Sequence, residues 1–305
     1  MSHNIRRSIL SVPGHIGKMH VKAAVSAADV VMLDLEDSVP VNEKTNARNI
    51  VIQSLNSIDW GEKTVSIRIN ALDTEFFYDD IISLYENCGN KIDSLVIPKV
   101  ENAGDIHFYD RLLTGIEKKS NFQKKIKIEA SIESAGGLNN ILQIAKASDR
   151  IISLVFGIAD FTTSLGARLV SLSGHGENED AIYPGDRWNY LLFKIAAAAR
   201  EHNLFAIDAP YGNFKDDAGL AKSCQKTIAL GFDGKWAIHP AQIETINQVY
   251  SPSDEEILFA TKIVEAETEA ARQGAGAVAI DGRMIDGATI RLAKKRLEIA
   301  ASIKR

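Results

Sequence analysis

The feature that most constrains this fold is a regular alternation of short apolar runs with segments of helical period. Eight runs of strand length end in polar residues: SILSVPG (8–14), VVMLDLED (30–37), TVSIRIN (64–70), SLVIPKV (94–100), KIEASIES (127–134), SLVFGIAD (153–160), LFAIDAP (204–210) and GKWAIHP (234–240). Parallel strands covered by helices read as nearly continuous runs rich in Val, Ile and Leu. Eight such units predict an α/β fold, a (β/α)8 TIM barrel.

A doubly wound open sheet is the competing architecture for the same alternation. Its first strand would normally be followed by a G-x-G-x-x-G turn, whereas this chain has PGHIGK at 13–18. The barrel is therefore favoured. After His239 the pattern becomes helical only, apart from a Gly/Ala stretch at 274–287. We expect a barrel domain at 1–250 and a C-terminal helical extension at 251–305 that covers the site or contacts a neighbouring subunit.

Composition excludes several classes of partner. The chain has 35 Lys and Arg against 40 Asp and Glu, a formal net charge of −5, so no basic field attracts nucleic acid or an anionic membrane. Cys88 and Cys224 lie far apart and show no metal or redox spacing, which predicts a reducing compartment, and we expect the cytoplasm. The N-terminal apolar stretch is too short for a signal sequence or a membrane span.

The informative side chains are the polar ones that close the eight runs, because active sites of β/α barrels lie at the C-terminal ends of the strands. They are Asp34, Glu36, Asp37, Arg68, Asn70, Lys99, Glu133, Asp160, Asp208 and His239. Several carboxylates at one barrel mouth repel one another unless a cation lies among them, which predicts a divalent metal with oxygen ligands. Magnesium is favoured over zinc because the seven histidines show no zinc-binding spacing.

Individual residues keep more than one interpretation. Glu133 and Asp160 follow adjacent strands and are either ordinary acids or a ligand pair, and their shared position favours the pair. A buried Arg68 must find an anion, so it pairs with Glu36, contacts substrate, or does both. Lys99 could form a Schiff base, but pairing with one of the acids is its more ordinary role.

The predicted chemistry is metal-assisted carbonyl chemistry. The chain has no P-loop, G-x-S-x-G or kinase motif, which argues against nucleotide hydrolysis and serine-hydrolase activity. A hard cation with open coordination positions beside an arginine suits a 2-oxo or 2-hydroxy acid, whose neighbouring oxygens can both bind the metal. His239 could be a base, although we expect a hydrogen-bonded structural residue.

Seven segments occur in a characteristic order: RSILSVPG (7–14), ADVVMLDLEDSV (28–39), SIRIN (66–70), IPKV (97–100), IESAGG (132–137), FGIADF (156–161) and GKWAIHPAQ (234–242). Together they resemble the citrate lyase β-subunit-like (HpcH/HpaI aldolase) family over nearly the whole chain. Four further segments are most similar to the L-malyl-CoA/β-methylmalyl-CoA lyases in that family: DWGEK (59–63), RINALDT (68–74), DAPYGNFKDD (208–217) and GRMID (282–286).

The resemblance implies a carbon–carbon lyase. It would reversibly cleave a 3-hydroxyacyl-CoA, namely malyl-CoA, β-methylmalyl-CoA or citramalyl-CoA, into an acyl-CoA and glyoxylate or pyruvate. By position, Glu133 and Asp160 would hold Mg²⁺, or Mn²⁺ in its place. Coenzyme A would enter as part of the substrate.

The resemblance also implies roles for four further residues. Arg68 would hold the oxo-acid and thioester oxygens, and Glu36 and Asp37 would support the metal through waters or through Arg68. Asp286 would come from a neighbouring subunit of a homotrimer or hexamer and act as acid and base on the acyl α-carbon.

Two departures from the family pattern concern substrate recognition. The family usually has Ser and then Asn or Arg after Pro-Gly, where CoA phosphates approach, but this chain has His15 and Ile16. Phosphate contact is then expected from Lys18 or Lys22. The long connection at 171–186 also differs and is expected to set acyl preference. Two other activities stay open: a thioester hydrolase, and a citrate lyase β-like subunit that acts on a carrier-protein thioester.

Overall fold

A closed barrel of parallel strands forms the larger part of the molecule. The computed structural model describes residues 5–120, 122, 124–168, 171, 174–176, 185–272, 278–280 and 283–303. Eight strands follow one another around the barrel in chain order. They are β1 (Ser8–Pro13), β2 (Val30–Asp34), β3 (Thr64–Arg68), β4 (Ser94–Ile97), β5 (Lys127–Ile132), β6 (Ile151–Phe156), β7 (Phe205–Asp208) and β8 (Gly234–Ala237). The predicted (β/α)8 barrel is confirmed, and the doubly wound sheet is excluded.

Helices connect the strands, as the alternating pattern predicts. They are α1 (Gly17–Ala24), α2 (Lys44–Ser57), α3 (Phe77–Cys88), α4 (Ala103–Ser120), α5 (Ala135–Asn139), α6 (Ile141–Ala145), α7 (Ile158–Ser164), α8 (Asn189–Glu201), α9 (Asp217–Ala229) and α10 (Gln242–Tyr250). Short 3-10 helices occur at Val41–Glu43 and Gly89–Lys91. Most of the connection at 171–186, expected to set acyl preference, lies outside the described residues. No helix in the described part of the chain is long and apolar enough to cross a membrane.

Alternate strand residues point into the barrel and fill it in layers. The inward-facing residues include an apolar cluster of Ile9, Val30, Met32, Val96, Val155, Ile207 and Trp236. Because side chains alternate, the residue two positions after Met32 also points inward, and this residue is Asp34. In the β2–β3 register, Asp34 lies beside Arg68 at the C-terminal ends of the strands. This register brings a carboxylate and a guanidinium group together at the barrel mouth.

A buried carboxylate lies towards the other end of the barrel. Glu129 accepts hydrogen bonds from the hydroxyls of Ser66 (2.8 Å), Ser94 (2.6 Å) and Ser153 (3.0 Å), and it also pairs with Arg6. Burial alone would raise the pKa of Glu129, but Arg6 and the serine hydroxyls hold it below its usual value. The charge of this carboxylate is therefore balanced within the protein.

The chain divides into two compact units, one from Arg6 to Asn247 and one that contains Gln248–Arg305 with Met1–Ile5. The second unit contains α11 (Asp254–Arg272), an antiparallel pair of β9 (Val278–Ile280) and β10 (Arg283–Ile285), and α12 (Gly287–Ile303). Both strands lie inside the Gly/Ala stretch at 274–287, for which no element was predicted. Short β-favouring runs separated by Asp-Gly, a turn-forming pair, indicate a hairpin that the Gly/Ala-rich composition obscured.

Candidate active site

Arg68 is held in a fixed orientation by Asp34. Its Nε donates to Asp34 Oδ1 at 2.6 Å and its Nη2 donates to Oδ2 at 2.7 Å, so the contact is bidentate. The guanidinium also lies over the Trp236 ring, 5.4 Å from its centroid. Burial alone would raise the pKa of Asp34, but Arg68 holds it below the usual range. The pair therefore keeps both charges at the barrel mouth.

The same carboxylate shapes the loop that follows β2. Asp34 accepts the N–H of Glu36 at 2.9 Å and that of Ser38 at 3.1 Å. Lys44 Nζ donates to the carbonyl oxygens of Leu35 (2.8 Å) and Glu36 (2.7 Å). These bonds fix the turn from which the side chain of Glu36 reaches the mouth.

Glu36 lies between two cations. Its Oε2 is 3.0 Å from Arg68 Nη1, and its Oε1 is 3.1 Å from Lys99 Nζ. Asp37 lies further out, with Oδ2 3.8 Å from the same Arg68 nitrogen. Burial raises the pKa of Glu36 despite Arg68 and Lys99, and Asp37 and Asp34 add to the effect. The structure thus brings the predicted residues Arg68, Glu36 and Asp37 together.

Glu133 and Asp160 face one cavity. Glu133 follows β5 and Asp160 lies in the first turn of α7, and both line a cavity of about 570 Å³. Burial, followed by the nearby charges of Glu36 and Asp160, raises the pKa of Glu133 to about 8. A Cβ at position 157 would overlap the Glu133 carboxylate, so Gly157 leaves the space that this side chain occupies.

Lys99 contacts Glu36 through its side chain and Glu133 through its backbone. Its backbone has φ +53°, the left-handed region that non-glycine residues rarely adopt, and its N–H donates to the Glu133 carboxylate. Burial alone would lower the pKa of Lys99, but Glu36 raises it above the usual value. An amine held protonated is a poor nucleophile, so the geometry favours the ion-pair interpretation over a Schiff base.

The donor set fits a hard divalent cation. Two carboxylates from adjacent strand ends share the cavity, and the raised pKa of Glu133 shows that its negative charge is poorly compensated there. Within the described ranges, no three His, Cys, Asp or Glu side chains form a metal-binding group. The protein would thus supply two oxygen ligands and leave the remaining positions to water or substrate, as magnesium sites commonly do.

Three strand-end residues from the sequence list lie outside this site. Asp208 pairs with Lys235 and, at 3.1 Å, with His175 Nε2. Asn70 donates to Asp80 at 2.6 Å. His239 is exposed at the mouth of the barrel and does not contact the acids in any described interaction. Asp208 therefore does not join the carboxylates at the metal site, whereas His239, expected as a hydrogen-bonded structural residue, accepts the N–H of Ala241 through Nδ1 at 3.1 Å.

Alternation along the strand explains the position of Asp208. Its neighbours Ile207 and Trp236 belong to the interior cluster, so Asp208 and Lys235 face the opposite side of the barrel wall.

The remaining predicted residues are exposed. Lys18 and Lys22 lie on the surface of α1, which follows β1. Asp286 lies in the C-terminal unit, before α12, and its Oδ1 accepts the N–H and the hydroxyl of Thr289, each at 2.8 Å. These bonds lower the pKa of Asp286. Its carboxylate is therefore ionised at neutral pH and caps the helix.

Fold and site define a β/α-barrel protein with an acidic, arginine-containing site at the C-terminal ends of its strands. The chain belongs to the HpcH/HpaI aldolase/citrate lyase family, whose model matches residues 7–240. The resemblance seen in the sequence is thereby confirmed.

Three known proteins illustrate the relationship. L-malyl-CoA/β-methylmalyl-CoA lyase of Cereibacter sphaeroides is 40% identical over 287 residues, covering 92% of this chain and 90% of the relative. Citrate lyase subunit beta of Leuconostoc mesenteroides is 34% identical, covering 98% and 94%. The structure of CitE from Mycobacterium tuberculosis, in complex with magnesium, acetoacetate and coenzyme A, has a TM-score of 0.76 and 27% identity, covering 99% of this chain and 100% of that one.

Proposed function

We propose that this protein is a magnesium-dependent acyl-CoA lyase. It reversibly cleaves a 3-hydroxyacyl-CoA, namely malyl-CoA, β-methylmalyl-CoA or citramalyl-CoA, to an acyl-CoA and glyoxylate or pyruvate. The observation that carries the proposal is the placement of Glu133 and Asp160 on one cavity, next to an Arg68 that Asp34 holds rigidly. The names of its relatives, and the magnesium and coenzyme A bound by the CitE structure, support the same activity.

The site residues have distinct tasks in this reaction. A magnesium ion held by Glu133 and Asp160, or manganese in its place, would supply Lewis-acid stabilisation of negative charge on the oxo-acid oxygens. Arg68 Nη1 is the nitrogen left outside the bidentate contact, so it donates to the thioester oxygen as enolate charge develops. Glu36 and Asp37 keep that nitrogen in place, and Asp37 lies where it can contact substrate.

The cleavage also requires a proton at carbon. In the condensation direction, the ionised carboxylate of Asp286, from a neighbouring subunit of a homotrimer or hexamer, removes a proton from the acyl-CoA α-carbon. The enolate then forms the bond from its α-carbon to the carbonyl carbon of the oxo acid, the resulting alkoxide takes a proton from water, and Asp286 returns its own proton to water. Cleavage is the reverse: water removes the hydroxyl proton, the carbon–carbon bond breaks with its electron pair passing to the thioester as an enolate, and Asp286, protonated by water, protonates the α-carbon. Lys18 and Lys22 contact the CoA phosphates. The enzyme works in the cytoplasm.

A condensation assay tests this function. The protein is incubated with acetyl-CoA or propionyl-CoA, glyoxylate or pyruvate, and Mg²⁺, and hydroxyacyl-CoA is followed by mass spectrometry. Product is expected with at least one pair. Asp160→Asn should abolish it, whereas Asp149→Asn, which changes an exposed acid before the start of β6 and so at the opposite end of the barrel from the site, should not. An inert panel would refute the lyase, and free CoA released from hydroxyacyl-CoA without an oxo acid would indicate a thioester hydrolase.

A second candidate function is a citrate lyase β-like subunit that acts on a carrier-protein thioester. The 34% identity to citrate lyase subunit beta over nearly the whole chain favours its consideration. Turnover of an acyl-carrier thioester, with none for the matching CoA thioester, would select this candidate.

A further inference from the structure

We propose that Lys99 binds the carboxylate of the 2-oxo acid and so selects acids over neutral carbonyl compounds. The inference rests on the proposed lyase function and adds a substrate-binding residue to it. That reaction gives Arg68 the thioester oxygen and gives the metal the oxo-acid oxygens, but it leaves the negative charge of the acid group without a side-chain partner.

The cavity that would receive the oxo acid is strongly acidic. Five of its lining residues are acids: Asp73, Glu101, Asp105, Glu133 and Asp160. A bound divalent cation would offset the charges of Glu133 and Asp160 and leave the other three acids to repel an incoming carboxylate. A carboxylate binds in such a cavity only where a further positive charge receives it. Among the lining residues that the structure describes, Lys99 is the one with a cationic side chain.

Arg68 does not supply that charge. Its Nε and Nη2 donate to Asp34, its Nη1 lies 3.0 Å from Glu36 Oε2, and the described lining of the cavity does not include it. By contrast, the side chain of Lys99 is 40% exposed. In the described part of the chain its Nζ makes one contact, with Glu36 Oε1 at 3.1 Å. An ammonium group has three donors, so Lys99 keeps two for a ligand.

The backbone of Lys99 indicates that its side chain is needed at this position. Its φ of +53° lies in the left-handed region, which glycine adopts at little cost but which strains a residue with a Cβ. A turn that served only to direct the N–H of residue 99 to Glu133 would be more stable with glycine. Strain of this kind is typical of residues that act on a ligand.

The ammonium of Lys99 shares the cavity with the predicted metal ligands. Burial alone would lower its pKa, but Glu36 and then Asp160 raise it, so the group is charged at neutral pH. Glu133 and Asp160 line the same cavity. A 2-oxo acid carries its carboxylate next to its carbonyl group, so one cavity with two sources of positive charge can bind both groups.

Comparing an oxo acid with its neutral amide isolates the charge of the carboxylate. Calorimetry at pH 8.5 with saturating Mg²⁺ measures the binding of pyruvate, glyoxylate and pyruvamide. Lys99→Met keeps the backbone N–H and a long side chain but removes the ammonium. It should weaken binding of the acids by about 10-fold, because a charge-assisted hydrogen bond is lost, and leave binding of pyruvamide unchanged. Lys146→Met changes an exposed lysine outside the cavity lining and should bind all three compounds as the parent protein does.

Kinetics separates substrate binding from a structural role. In condensation, Lys99→Met should raise KM for the oxo acid by about 10-fold, because the lost contact forms equally before and during the reaction. The value of kcat, KM for acetyl-CoA or propionyl-CoA, and Mg²⁺ affinity should stay within about twofold. A lysine that only supports Glu36 or Glu133 would instead change kcat, KM for the thioester or Mg²⁺ affinity.

Three calorimetric results would overturn the proposal. They are an equal loss of affinity for pyruvamide and for the acids, an unchanged affinity of Lys99→Met for the acids, and no binding of either acid by the parent protein. None of them depends on turnover, so the lyase function can fail separately. If no thioester is condensed although Lys99→Met selectively weakens binding of the acids, the lyase is refuted and the carboxylate site stands.

Discussion

Magnesium binding should displace a proton from Glu133. The pKa of this carboxyl is raised to about 8, chiefly by burial and then by Glu36 and Asp160. At pH 6.5 about 97% of the free protein would then carry a proton on Glu133, against about 24% at pH 8.5. A cation needs the carboxylate, so metal and proton compete for the same oxygens.

The size of the effect follows from that competition. Protonation weakens apparent metal affinity by the factor 1 + 10^(pKa − pH), which is about 33 at pH 6.5 and about 1.3 at pH 8.5 for a pKa of about 8. Apparent affinity should thus rise about 25-fold between the two values. An acid with its ordinary pKa of 4.5 would produce almost no change over this interval.

Isothermal titration calorimetry with Mg²⁺ measures both the apparent metal affinity and the number of protons released on binding. Runs in two buffers of different ionisation enthalpy should give about one proton released per metal at pH 6.5 and about 0.24 at pH 8.5. Glu133→Gln should lose the proton release together with most of the affinity. Glu101→Gln changes an exposed acid on the same cavity and should keep the release. Equal affinities at the two pH values, with no proton released at pH 6.5, would refute the reasoning.

Three further outcomes are expected. Asp34→Asn removes the buried partner of Arg68 and should lower the free energy of unfolding in urea by about 3 kcal/mol, together with turnover. Asp29→Asn, in the less buried pair with Arg7, should reduce stability less and leave turnover intact. Lys99→Gly keeps the left-handed backbone and the N–H to Glu133, so Mg²⁺ affinity should stay within about twofold, whereas Lys99→Val should unfold at least about 1 kcal/mol more easily. Asp286→Ala should spare Mg²⁺ binding by calorimetry but slow deuterium exchange at the acetyl-CoA α-carbon by about 10²-fold; normal exchange would remove Asp286 from the mechanism.

The eight strands could be predicted because helix-covered parallel strands need unbroken apolar runs. The runs extended too far at their C-terminal ends, as at 30–37, where β2 ends at Asp34. Polar residues beyond the strand end, such as Glu36 and Asp37 after β2, belong to the loop that follows the strand. The β9–β10 pair was missed for a different reason. Each strand has three residues, which are too few to show the alternation typical of a strand in a stretch rich in Gly and Ala.

Strand-end position alone could not separate the site residues from other polar residues. Asp34 and Asp208 both end strands and are both fully buried, yet one faces the barrel interior and the other the outside of the wall. The spacing from an interior residue of the same strand distinguishes them. Asp34 is two positions from Met32 and faces the same side, whereas Asp208 is one position from Ile207 and faces the opposite side. That signal was present in the sequence. The left-handed backbone of Lys99 had no such signal, because it results from the contacts around it.

The buried acids of this protein fall into two groups according to how their charge is balanced. Asp208 is matched by Lys235 and Glu129 by Arg6, and in each case the cation outweighs burial and holds the pKa of the acid below its usual value. Glu133 has the opposite shift, because burial and neighbouring acids outweigh the charge of Arg68. An acid that serves packing alone gains nothing from this arrangement, since at neutral pH the fold must either bind a proton at this carboxyl or bury an unbalanced charge, and both cost free energy relative to an exposed carboxylate. The positive charge that would balance Glu133 is therefore one that enters with a ligand, and oxygen donors on two strand ends select a hard divalent cation to bring it.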